Sequence, residues 1–88
     1  MSTTAFKIGE NYLIRTVTMI DTGRVVEVNE HEVVLEDAAW IADTGRFADC
    51  LKSWNFNEVE PFPDGQVIIG RGAIIDAVKI ATLPRSQK

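Results

Sequence analysis

The chain has 88 residues, 45% of them apolar and 25% charged, a composition that describes one folded domain and excludes a disordered chain. Its formal charge of −4 disfavours non-specific binding to long nucleic acids, which depends on lysines and arginines displacing counterions. The single cysteine, Cys50, excludes an internal disulfide and any metal site built on several cysteines, and it reads as a small apolar helix residue.

The first residues, Met-Ser-Thr-Thr-Ala-Phe-Lys, lack the apolar centre of a signal peptide, and no later run is long and apolar enough to span a bilayer. A cytoplasmic location is therefore expected. Tyr12 to Ile20 is dense in β-branched and aromatic residues, and Val17 and Met19 alternate with Thr16 and Thr18 as in a half-buried strand. Asp21-Thr22-Gly23 is expected to break this strand as a turn. Arg24 to Val28 then predicts a second strand, Asn29 to Glu32 a polar tip, and Val33 to Ile41 a third strand, which together make a meander.

Phe47, Cys50, Leu51 and Trp54 follow the i, i+3, i+4, i+7 spacing of one helix face and predict a short helix, with Asp43 or Thr44 as its N-cap. Pro61, Pro63 and Asp64-Gly65 predict a loop and turn. Val67–Ile69 and Ala73–Val78 read as fourth and fifth strands around Gly70-Arg71-Gly72, and Leu83–Lys88 as a polar, poorly ordered tail. Residues 1–88 are thus expected to form a single, mainly β domain. It is a five-stranded barrel with one short helix inserted between the third and fourth strands, because a flat sheet of this size would leave an apolar face and two edges exposed. So small a core favours association of the chain with copies of itself.

The tetrapeptide Asp-Thr-Gly-Arg occurs at Asp21–Arg24 and again at Asp43–Arg46. It is read as the same turn used twice. Met19-Ile20-Asp21-Thr22-Gly23 also resembles the active-site segment of retropepsin-like aspartic proteases, and Val67-Ile68-Ile69-Gly70-Arg71 resembles a later segment of that family. That resemblance implies a dimer with Asp21 giving one carboxylate per chain. Arg24 directly after the motif and the absence of a glycine-rich flap make this a distant alternative.

A second resemblance covers most of Thr16 to Ile80. Gly23, Val25, Val28, Asn29, Val34 and Leu35 resemble the first motif of Sm-like proteins, and Ile68–Val78, with Gly70-Arg71-Gly72 at its centre, resembles the second. The resemblance implies an SH3-like barrel that forms oligomeric rings and binds nucleotides or short RNA where the two motif loops meet. His31 then stands in the place of the base-stacking residue and Arg71 in that of the covering arginine, while Val33 replaces the asparagine that reads the base. The overall pattern also resembles short proteins of tailed phages and their bacterial hosts, which would make the host cytoplasm the setting.

The expected function is a non-catalytic, homo-oligomeric binding module for a nucleotide-type ligand, either short RNA or a soluble nucleotide signal that it sequesters. His31 and Arg71 are the first candidate ligand residues, Arg24 and Arg46 could complete a cationic rim, and Trp40 and Trp54 could stack on a base or pack at a subunit interface. No metal site and no cofactor are expected, since His31 is the only histidine. The alternative is a structural adaptor without a ligand pocket, docking onto a larger phage or cellular assembly.

Overall fold

Tyr12, Leu13 and Ile14 are buried in succession, although neighbouring strand residues point to opposite faces of a sheet. The reason is that the sheet carries a core on each side. Tyr12 and Ile14 join Val25, Val33, Leu35, Ala38 and Ile69 in one cluster, while Leu13 joins Ala39, Ile41, Cys50, Phe56, Val59 and Ile80 in the other. Each fully buried leucine or isoleucine contributes about 1.5–3 kcal/mol. The computed structural model describes residues 4–88.

Its elements in chain order are β1 (Asn11–Thr16), β2 (Ile20–Val28), β3 (Glu32–Asp43), helix α1 (Phe47–Ser53), β4 (Glu58–Pro61), β5 (Val67–Gly70), a 3-10 turn (Arg71–Ala73) and β6 (Ile74–Lys79). The fold is mainly β, as expected, but the described residues form six strands rather than five. All pairings are antiparallel, in the order β4-β3-β2-β1-β6, with β5 as a branch on β3. The sheet is not closed, which corrects the expected barrel closure. The long strand β3 explains this: its first part pairs with β5 and its last part with β4, so two short strands share one side of it.

The first Asp-Thr-Gly is not a turn. Asp21, Thr22 and Gly23 lie inside β2, and the chain instead reverses at Val17–Met19, where Thr16 N–H donates to Met19 O at 2.8 Å and Met19 N–H to Thr16 Oγ1 at 3.0 Å. Gly23 is required for space. A Cβ there would stand 2.9 Å from both Cβ and Cδ1 of Leu35 on β3. The pairing of β2 with β3 shifts register between Thr22 and Arg24, opposite Asp37, which takes the left-handed conformation at φ 52°. Aspartate tolerates this conformation better than most residues, and the extra residue bends β3 towards its two partners.

The second Asp-Thr-Gly does turn. Gly45 has φ 69°, and its N–H donates to Asp43 Oδ1 at 2.8 Å. The N-cap of α1 is Arg46, without a side-chain cap, and not Asp43 or Thr44. Phe47, Cys50, Leu51 and Trp54 all contribute to the second core. β4 occupies residues that the sequence left outside any strand. Beyond β6, Ile80 and Leu83 pack into the second core, Arg85 Nη1 donates to Ala38 O at 2.7 Å, and Lys88 and Val59 exchange two backbone hydrogen bonds at 2.9 and 3.0 Å. Residues 83–88, polar in sequence, thus lie against β3 and the outer edge of β4. No helix among the described residues is long and apolar enough to cross a membrane.

Candidate functional site

The β2–β3 connection is a tight polar tip organised by Asn29. Its Oδ1 accepts the backbone N–H groups of His31 at 2.9 Å and Glu32 at 3.0 Å, and its own N–H donates to Glu32 O at 3.0 Å. This local side-chain bonding is why asparagine favours such positions. The arrangement leaves the His31 side chain 87% exposed, with Nε2 3.6 Å from the Glu30 carboxylate.

Arg71, at the start of the 3-10 turn, closes onto this tip from the far side of the sequence. Its backbone N–H donates to His31 O at 2.8 Å, and Nη1 donates to Asn29 O at 2.8 Å. β5 makes this meeting possible, because its ladder with β3 ends at the pair Glu32–Gly70, directly beside both residues. His31 and Arg71 are therefore neighbours, held by three elements. Arg71 keeps guanidinium donors beyond the one spent on Asn29, since the group carries five N–H bonds.

The tip is not strongly cationic. Glu27, Glu30 and Glu32 lie on the same hairpin end, and Asn29 Nδ2 donates to Glu27 Oε2 at 3.4 Å. Val33, in the place of a base-reading residue, is fully buried in the first core and faces no ligand. The sequence reading missed Asn29 as the residue that shapes the loop. Asparagine two residues before histidine in a polar tip was the available signal.

The remaining candidates lie elsewhere. Arg24 is engaged across the β2–β3 bulge, with Nη1 2.6 Å from Asp37 Oδ2 and Nη2 3.1 Å from Glu36 Oε1. The Arg24 guanidinium holds the Asp37 carboxyl below its usual range. Arg46 is exposed at the start of α1, and Trp54 ends that helix in the left-handed conformation at φ 58°, packed on the second core. Trp40 lies nine positions beyond His31 on β3, roughly 30 Å away at the usual strand rise. Within one chain, only His31 and Arg71 come together.

Asp21, the residue of the protease resemblance, is buried near the start of β2, and burial raises its carboxyl above the ordinary range. Among the described residues no three His, Cys, Asp or Glu side chains cluster as a metal site would require. Comparison of the chain with protein families, with curated proteins and with solved structures finds no match.

Proposed function

We propose that the chain is a non-catalytic, self-associating binding module of SH3-like, Sm-like build, and that it takes a small nucleotide-type ligand beside His31 and Arg71. The observation that carries this reading is the pair of hydrogen bonds from Arg71 to the hairpin tip, which sets a cation beside an exposed imidazole from distant parts of the chain. A planar base can stack on the imidazole while the remaining guanidinium donors meet a carbonyl or a phosphate oxygen. The carboxylates of Glu27, Glu30 and Glu32 oppose a long polyanion, so a nucleotide or a very short RNA fits better than a continuous strand.

The SH3-like assignment is supported by the path β5-β3-β2-β1-β6 and by the 3-10 turn between its last two strands, with α1 and β4 as an insertion. Self-association is supported by the outer edges of β5 and β6, which pair with no other strand among the described residues, and by the exposed Ile68, Ile75 and Val78 on those strands. Unpaired edges with apolar side chains favour pairing with another chain. A tailed-phage or host-cell setting, with the protein in the cytoplasm, belongs to the same reading.

The adaptor reading is favoured by a different observation: among the described residues, three clefts of about 250–350 Å³ are lined by neither His31 nor Arg71. Native mass spectrometry combined with thermal shift against nucleotides and di- to tetraribonucleotides separates the two. The nucleotide reading expects an oligomer whose melting temperature rises with a ligand by mass action, and loss of that rise in Arg71→Ala. An oligomer with no shift across the panel leaves the adaptor. A ligand-free monomer defeats the self-associating nucleotide reading and leaves the adaptor.

A further inference from the structure

At the end of the sheet opposite His31, β3 leaves its first partner. The β2–β3 ladder ends at the pair Asp21–Trp40, while β1 and β2 stay paired as far as Arg15–Ile20 and β3 goes on with β4 to Asp43. The divergence opens a cleft of about 350 Å³. One wall of it is the β1–β2 turn, Val17-Thr18-Met19, and Trp40, Ile41 and Ile75 form others.

The composition of that turn is unusual. Reversals between strands are ordinarily built from glycine, proline, asparagine, aspartate or serine. This one carries valine and methionine, 72% and 48% exposed. Its shape does not call for them. Thr16 N–H donates to Met19 O and Met19 N–H to Thr16 Oγ1, and Val17 N–H donates to Ala73 O at 3.0 Å, which ties the tip to the 3-10 turn. Ile75 and Trp40 beside it are 64% and 38% exposed. Together the four side chains present roughly 400 Å² of mostly apolar surface to water, the size of patch that marks an interaction site on a monomer.

The charges around the cleft favour one occupant. Arg15 is the one charged residue among the described residues that line it, and Asp76 neutralises it, accepting from Nε at 2.8 Å. Glu60, opposite Trp40 in the β3–β4 register, falls at the margin. A chain of net charge −4 repels its own copies, and two copies meet at least cost where no unpaired charge is taken out of water. The patch is also self-complementary in shape, because a projecting apolar turn and a hollow lie side by side in it, as a twofold contact requires.

We infer that this surface joins two copies of the chain about a twofold axis, the Val17–Met19 turn of each filling the hollow beside Trp40 and Ile75 of the other. With the polar rim of an ordinary interface, which is roughly 57% apolar overall, such a pair buries about 1,400 Å² in total, within the range of specific complexes. The inference rests on the self-associating reading above, but it uses a different surface from the β5 and β6 edges, with Ile75 in common.

Native mass spectrometry and sedimentation velocity on the full chain test it, with Val17→Asp and Val17→Lys at the exposed turn and Ile68→Lys on the β5 edge, outside the cleft. The unaltered chain is expected to contain an even number of subunits, and each Val17 variant half that number with an unchanged circular dichroism spectrum. Ile68→Lys is expected to leave a dimer. If a Val17 variant loses its fold, Trp40→Ala, which removes one wall of the hollow, is expected to give the same halving. An odd subunit number, or an unchanged number in folded Val17 variants, overturns this contact and leaves the strand edges as the route to self-association. A monomeric unaltered chain overturns both.

Discussion

Gly23→Ala separates two explanations of the same glycine. If Gly23 served a turn, an added methyl would cost backbone strain, and asparagine, which tolerates positive φ, would be the milder replacement. The structure gives Gly23 no positive φ, and places a Cβ 2.9 Å from two Leu35 side-chain atoms, closer than carbon atoms can approach. Leu35 is fully buried in the first core and cannot swing away. Overpacking of this kind costs about 1–3 kcal/mol. For a domain of this size, a midpoint loss of 2 kcal/mol lowers the melting temperature by roughly 8–16 °C. Urea unfolding followed by circular dichroism gives the free energy, and differential scanning calorimetry gives the temperature. Gly23→Asn should be at least as damaging as Gly23→Ala. In a Leu35→Ala background, the loss from Gly23→Ala should shrink, because Cγ and Cδ1 are gone. A Gly23→Ala change under about 0.5 kcal/mol, the range of ordinary surface substitutions, refutes the close-packing argument. An undiminished loss in the Leu35→Ala background assigns the strain to the Leu35 Cβ, which alanine keeps 2.9 Å from the added methyl.

Two further expectations concern the neighbouring residues. Thr22 is fully buried and its Oγ1 finds no partner among the described residues, so Thr22→Val should stabilise the fold by about 1 kcal/mol in urea titrations, by removing an unpaired hydroxyl at nearly constant shape. A loss of stability would instead reveal a hidden partner for that hydroxyl. Asp21 and Asp76 should give opposite pH dependences. Burial raises the folded Asp21 carboxyl above its unfolded value, so its penalty is fully present at neutral pH and is relieved as pH falls towards the ordinary aspartate range; Asp21→Asn should stabilise at pH 7 and lose that advantage in acid. Arg15 lowers the Asp76 carboxyl, so its contribution is present above the ordinary aspartate range and is lost as pH falls through the lowered folded value. Asp76→Asn should therefore destabilise at pH 7 and converge with the unaltered chain in acid, and urea unfolding at several pH values checks both signs.

The sequence by itself determined the mainly β character, because runs such as Tyr12–Ile14, Val25–Val28 and Val33–Leu35 are rich in β-branched and aromatic residues wherever the chain is placed. It also carried the turn at Gly45, where local aspartate–backbone bonding needs no distant partner. The meeting of His31 with Arg71 was implied only through resemblance to Sm-like motifs. Its hydrogen bonds depend on β5 pairing with β3, a contact between residues far apart in sequence. The first Asp-Thr-Gly shows why local reading fails. Identical words at residues 21–23 and 43–45 take different backbones, since Thr22 is claimed by the second core and Gly23 by Leu35, whereas Asp43–Gly45 lies at a strand end where the chain is free to reverse. β4 was hidden for a similar reason: Glu58–Pro61 carries two glutamates and ends in a proline, which cannot donate to a ladder, and only the open side of β3 makes it a strand. Burial on both faces of one sheet erased the alternation that marks strands, and only long-range packing decides which face each residue meets.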